Sequence, residues 1–74
     1  MNLTELAQGE KAHVRDFSAV SKIVQRRLVQ LGVKENEEIC LKRKLPFGGP
    51  CMIETCGLCI SIRLDEAMRI EVRK

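Results

Sequence analysis

Apolar residues in one segment of this 74-residue chain recur with the period of an α-helix. The residues spaced three and four apart are Val20, Ile23, Val24, Leu28 and Leu31. This spacing places them on one face of a helix. Ser18 is the expected N-cap, and Gly32 follows where a left-handed residue would end the helix. We therefore predict one amphipathic helix over residues 20–31, with this face in the core.

The other apolar residues alternate singly with polar ones in short runs, which is the period of half-buried strands. The predicted strands are 11–17, 39–43, 51–56, 59–63 and a last strand around Ile70 and Val72. Gly57-Leu58 predicts a two-residue type II′ hairpin turn, and residues 64–67 predict a single helical turn. Five short antiparallel strands usually curl into a partly open barrel. The expected fold class is mainly β, a small SH3-like barrel with one α-helix, and an OB-like barrel is the alternative.

Size and composition favour a binding domain over an enzyme. Residues 1–74 are long enough for one domain, which buries only about 60% of its unfolded surface and leaves little space for an enclosed active site. No catalytic residues are expected. The first residues have neither the basic region nor the apolar core of a secretory signal, and no apolar run reaches membrane-spanning length. Neither a secretory signal nor a transmembrane helix is therefore predicted.

Four cysteines raise the question of a metal site. Cys56-Gly57-Leu58-Cys59 is a C-x-x-C motif, a spacing that lets two thiolates reach one ion. In the predicted hairpin these two residues are directly opposed, which also allows a disulfide. Cys40 is expected on the same outward face and Cys51 in the core. The candidate metal ligands are therefore Cys56, Cys59 and Cys40, for a transition metal such as Fe or Zn. The alternative is a set of surface thiols.

A partner-binding surface has three candidate residues. Phe47 lies in a loop rich in proline and glycine and could anchor a partner or fold back over the barrel end. Lys22 and Arg26 lie on the predicted outer face of the helix.

Residues 42–44 and the Arg26-Arg27 pair are basic, but the net charge is only +3. Small barrels that bind nucleic acid usually add stacking aromatics, whereas this chain has two Phe and no Trp or Tyr. Binding to nucleic acid is therefore not expected and is kept as an alternative function. The only histidine, His13, is expected to be a solvated strand residue.

Several segments, in their order and spacing, resemble one known family. They are Leu3-Thr4-Glu5-Leu6 with Gly9-Glu10-Lys11-Ala12, Arg27-Leu28 with Leu31-Gly32-Val33, Pro46-Phe47-Gly48 with Pro50, Gly57 with Ile60, Ile62 and Arg63, and Glu66-Ala67 with Ile70-Glu71-Val72. Together they resemble the FeoA family of ferrous iron transport accessory proteins.

The resemblance implies a cytoplasmic SH3-like barrel that docks on the cytoplasmic side of FeoB, a membrane ferrous iron transporter with a GTP-binding domain. It implies no required cofactor and no direct membrane insertion. The family has no agreed catalytic residues to carry over. Relatives usually have glycine where Asn36 stands, and Asn tolerates the left-handed conformation that such a turn needs.

Overall fold

Five strands form one antiparallel sheet, as a computed structural model covering residues 1–74 shows. The elements are a 3₁₀ turn (Leu3–Glu5), β1 (Lys11–Asp16), α1 (Lys22–Gln30), β2 (Glu38–Lys44), β3 (Cys51–Thr55), β4 (Leu58–Ile62), α2 (Leu64–Ala67) and β5 (Glu71–Arg73). The strand order is β4-β3-β2-β1-β5. The mainly β fold class and the helical turn at residues 64–67 are thereby confirmed. Neither helix is long and apolar enough to cross a membrane.

The sheet buries one face, because its apolar residues alternate with polar ones as the sequence predicts. Register shifts between Val14 and Asp16 in β1, and between Leu41 and Arg43 in β2, mark β-bulges. Bulges increase local twist and bend a strand, so they help the sheet to curl around its core. The strand residues of the core are Ala12, Val14, Ile39, Leu41, Cys51, Ile53, Ile60, Ile62 and Val72. The predicted core position of Cys51 is thus confirmed.

Helix α1 starts two residues later than predicted. The Ser21 hydroxyl accepts a hydrogen bond from the Val24 N–H at 3.3 Å, so Ser21 is the N-cap and the prediction of Ser18 was wrong. Ser18 instead donates its N–H to the Asp16 carboxylate at 2.9 Å, which holds it in the preceding turn. The end of the helix is as predicted, since Gly32 has a φ of +99° there.

The buried stripe of α1 is narrower than the sequence predicts. Leu28 is 1% exposed, whereas Ile23 is 79% exposed, so the prediction that Ile23 belongs to the core was wrong. Residues five apart lie about 140° apart around a helix, so Ile23 and Leu28 face different directions. Val24 and Leu31 are half-buried against the core. Val20 is also buried, but it lies in the loop before α1. Its burial therefore does not indicate which face of the helix points inward.

The β3–β4 hairpin has a different register from the predicted one. Thr55 pairs with Leu58, so the turn residues are Cys56 and Gly57, with φ of +51° and +78°. Positive φ at both positions is characteristic of a type I′ turn, which prefers glycine second. The predicted type II′ turn at Gly57-Leu58 was therefore wrong.

The two edges of the sheet differ. The N-terminal residues cover the edge of β5, where the Leu3 N–H donates to the Ile70 carbonyl at 2.9 Å and the Val72 N–H donates to the Met1 carbonyl at 2.8 Å. At the other edge, β4 pairs only with β3. The sheet is thus covered at the β5 edge and open at the β4 edge.

Candidate partner-binding surface

Phe47 projects from the tip of the β2–β3 loop. Its side chain is fully exposed, so the loop does not fold back over the barrel. The Gly49 N–H donates to the Pro46 carbonyl at 3.1 Å, and the intervening Phe47 and Gly48 have φ of +60° and +73°. A bulky residue rarely adopts positive φ. The loop therefore holds an aromatic ring in water on an unfavourable backbone, a combination that is often associated with function.

An open groove of about 410 Å³ runs beside this loop. Its lining residues are Gly48, Pro50, Ser61, Arg63, Leu64 and Asp65. Helix α2 joins the loop to α1, because Leu64 lies against Gly48 while the Glu66 carboxylate forms an ion pair with Arg27 at 3.0 Å. The loop and the C-terminal part of α1 are therefore both fixed to one short helix.

The outer face of α1 is mixed apolar and basic. Lys22 and Arg26 are exposed as predicted, and neither forms an ion pair within the chain. Ile23 and Val29, 79% and 46% exposed, lie beside them. Sequence reasoning missed Ile23 as a surface residue. Gly32, which follows the helix end, is the signal that could have revealed this. Leu28 and Val24 precede it by four and eight residues, and this spacing places both on the buried stripe and Ile23 off it.

The basic residues of β2 extend along the strand toward the Phe47 loop. Lys42 forms an ion pair with Glu54 at 3.5 Å, whereas Arg43 and Lys44 are exposed without an ion pair. These positive charges would favour an acidic surface on a partner.

The structure does not bring the three candidate metal ligands together. Cys56 is in the turn, with its Sγ 3.8 Å from a Glu37 carboxylate oxygen. Cys59 and Cys40 both lie opposite Glu54, on the two strands that flank β3. Two strand spacings separate those two residues by roughly 10 Å.

The direct opposition of Cys56 and Cys59, on which their pairing was argued, is therefore wrong. No group of three or more His, Cys, Asp or Glu side chains is placed to hold one ion. Metal binding by Cys56, Cys59 and Cys40 stays a prediction.

His13 is exposed on β1, as predicted, between Glu38 of β2 and Arg73 of β5. The buried thiol is Cys51, and burial raises its pKa, so that it stays protonated at neutral pH. The two thiols with exposed side chains are Cys56 and Cys59.

The family model of the FeoA domain matches residues 1–74. The chain belongs to the FeoA family. The solved FeoA protein from Chlorobium tepidum is 33% identical to it with a TM-score of 0.92, and the match covers 99% of this chain and 69% of that one. The resemblance noted in the sequence is thereby confirmed. No curated protein matches this FeoA-family chain significantly.

Two further solved structures extend the comparison. Iron(II) transport protein A from Clostridium thermocellum is 32% identical with a TM-score of 0.88, and this chain spans 99% of its own length but only 44% of that protein. FeoA from Stenotrophomonas maltophilia, solved in complex with zinc, is 33% identical with a TM-score of 0.74 over 97% of this chain and 88% of that one. That protein is described as an SH3 domain protein and as a candidate activating factor of ferrous iron transport. The SH3-like fold is thus confirmed.

A manganese-dependent transcriptional repressor shares the fold at 15% identity with a TM-score of 0.87, and the match covers 99% of this chain and 40% of that one. At this identity, the likeness shows the fold alone.

Proposed function

We propose that this FeoA-family protein is a non-enzymatic accessory protein of ferrous iron uptake. It acts in the cytoplasm and docks on the cytoplasmic side of a FeoB-type membrane iron transporter. The family match over residues 1–74 supports a role in ferrous iron uptake, and the exposed Phe47 supports a docking role. Related FeoA proteins described by their iron(II) transport role point in the same direction.

Phe47 is the proposed anchor. A phenylalanine buries about 150–250 Å² when a pocket encloses it. At about 25 cal/mol per Å², this corresponds to roughly 4–6 kcal/mol before the costs of association. Hot-spot residues lose about 2–4 kcal/mol on truncation. We therefore expect Phe47→Ala to weaken binding by roughly 30- to 1,000-fold. Because the ring contacts nothing in the free protein, the fold should be unaffected.

The test is a binding titration with the transporter's cytoplasmic domain and with the intact transporter in nanodiscs. Leu58→Ala is the matched control, because Leu58 is a half-exposed apolar residue at the opposite end of the β3–β4 hairpin from the Phe47 loop. Wild type and Leu58→Ala should bind alike, and Phe47→Ala should bind much more weakly. If the wild type binds neither form of the transporter, the docking role is wrong. If Phe47→Ala binds normally, the anchor is wrong.

The basic face of α1 is tested separately. Lys22→Glu with Arg26→Glu should weaken binding to an acidic partner surface, and the effect should shrink as salt is raised. Lys11→Glu with Lys34→Glu makes the same change in net charge at exposed positions off α1. Equal effects from the two double variants would show that net charge alone matters and would remove this face from the docking surface.

A further inference from the structure

The β4 strand presents an edge without the usual protection against pairing. From Cys56 to Ile62 the chain has seven residues with no charge and no proline. The β3–β4 register is unbroken, so no bulge turns this edge away. Natural proteins guard exposed edges with lysine, proline or bulges. None of these devices occurs within β4.

The backbone groups of two β4 residues point to this open edge. A two-residue turn is closed by a hydrogen-bonded pair, here Thr55 and Leu58. Bonded and non-bonded pairs alternate along an antiparallel ladder, so Ile60 and Ile62 also bond to β3, whereas Cys59 and Ser61 direct their N–H and C=O groups away. None of the backbone hydrogen bonds outside the helices and strands involves Cys59 or Ser61.

We propose that this edge pairs antiparallel with β4 of a second copy of the chain. With a two-fold axis at Ile60, Cys59 of one copy lies opposite Ser61 of the other, and the reverse. Each of these two pairs exchanges two backbone hydrogen bonds. All the free N–H and C=O groups of Cys59 and Ser61 in both copies then have partners. A register centred on Cys59 would instead pair Ser61 with the turn residue Gly57.

The side chains fit the same register. Ile60 meets its own counterpart on the inner face, and half-exposed Leu58 lies across from Ile62 of the second copy. Residues Leu58 to Ile62 carry no charge, so no like charges oppose each other within the pairing. These features favour a second copy over a charged segment of another protein as the occupant of the edge.

The dimer should be weak and reversible. A pairing of five residues buries far less than the roughly 1,200–2,000 Å² of a stable interface. We expect a dissociation constant on the order of 0.1–1 mM in solution.

Sedimentation of the full chain tests the proposal. The weight-average mass should rise from 8.4 kDa toward twice that value between about 10 µM and about 1 mM. Ser61→Pro removes a free N–H, and Ser61→Lys adds a charge to the edge, so both should stay monomeric. Met52→Lys is the matched control, since Met52 faces the same way one strand inward. A monomeric wild type, or Ser61→Lys that associates normally, would overturn the pairing.

Amide hydrogen exchange shows whether this edge is the one used. The Cys59 and Ser61 amides should become protected as concentration rises, while the Ile60 amide, bonded to β3, should be slow throughout. Association without added protection at Cys59 and Ser61 would place the interface elsewhere and refute the proposal.

A disulfide trap fixes the register. With Ser61→Cys, mild oxidation should join Cys59 of one copy to the new thiol of the other, because opposed Cα atoms lie about 5.5 Å apart. Adding Cys59→Ser should abolish this link, which peptide mapping identifies. A dimer whose links never include this pair would contradict the register centred on Ile60.

Discussion

Replacing Ile23 by alanine should leave the stability of the protein unchanged, although Ile23 belongs to the apolar repeat of α1. Its side chain is 79% exposed, so truncation removes little buried area. Alanine is also a better helix former than isoleucine by a few tenths of a kcal/mol, about 0.2–0.5. The expected change in the free energy of unfolding therefore lies between zero and a slight stabilisation.

Leu28→Ala on the same helix is the matched comparison, because it truncates a buried side chain instead of an exposed one. Leu28 is 1% exposed, and truncating such a residue costs about 2–5 kcal/mol through lost transfer energy and a residual cavity. A core of this size supplies only about 3–5 kcal/mol in total. The Leu28→Ala variant should therefore be partly unfolded at room temperature.

Urea titrations followed by circular dichroism measure both variants against the wild type. The slope with denaturant should stay constant for Ile23→Ala, so that its midpoint reports stability alone. A loss of more than about 1 kcal/mol in Ile23→Ala would show that Ile23 packs in the core, and the helical phase described above would be wrong. A stable variant that also binds the transporter more weakly would assign Ile23 to the docking surface.

Three further predictions concern the thiols and an acidic turn. Cys56 and Cys59 should react with a thiol reagent in the folded protein, whereas Cys51 should react only after unfolding; early modification of Cys51 would contradict its burial. If the cysteines bind metal, Cys56→Ser with Cys59→Ser should lower the metal stoichiometry measured by intact-protein mass spectrometry after anaerobic preparation, and an unchanged ratio would exclude these ligands. The Asp16 carboxylate accepts hydrogen bonds from the Ser18 N–H and hydroxyl, which lowers its pKa, so its stabilising contribution is present above its unfolded pKa and is lost as pH falls below about 4. In Asp16→Asn, the melting temperature should therefore fall less on acidification than in the wild type. An unchanged dependence of melting temperature on pH would contradict the stabilising role of the Asp16–Ser18 hydrogen bonds.

The sequence predicts strands and faces well where one physical signal decides. Alternation placed Ala12, Val14 and Ile53 in the core, because a strand with one buried face leaves little freedom. The left-handed position of Asn36 was also predictable, and its φ is +69°. The start of α1 could not be predicted in the same way. Serine is a preferred N-cap residue, and Ser18 and Ser21 both lie close to apolar Val20. Two hydrogen bonds separate the choices, one from the Ser18 N–H to Asp16 and one from the Val24 N–H to Ser21, and the apolar pattern encodes neither.

The hairpin register shows a different limit. Moving the turn from Gly57-Leu58 to Cys56-Gly57 changes each cross-strand partner by two residues. Because side chains alternate with a period of two, Thr55 and Ile60 keep the same face in both registers. The apolar pattern cannot distinguish the two registers, and the positive φ at Cys56 is a backbone property that the pattern does not encode.

The same ambiguity limited the candidate site. Cys56 and Cys59 can be directly opposed only if the turn is Gly57-Leu58, so this prediction was wrong together with the predicted register. Phe47, in contrast, was placed in a loop by the proline and glycine residues around it. Its complete exposure could not be predicted, because a loop that folds back over the barrel would have the same composition.

The position of β5 beside β1 has a consequence during synthesis. β1 leaves the ribosome before the other four strands, yet its neighbour Val72 lies in β5, the last strand of the sheet to be made. Until that segment emerges, Val14 has no partner on one side, while β2, β3 and β4 can already associate as neighbours in sequence. The nascent protein therefore waits with one side of β1 uncovered. Any delay before β5 docks on β1 would lengthen the period in which chaperones or neighbouring chains could bind there.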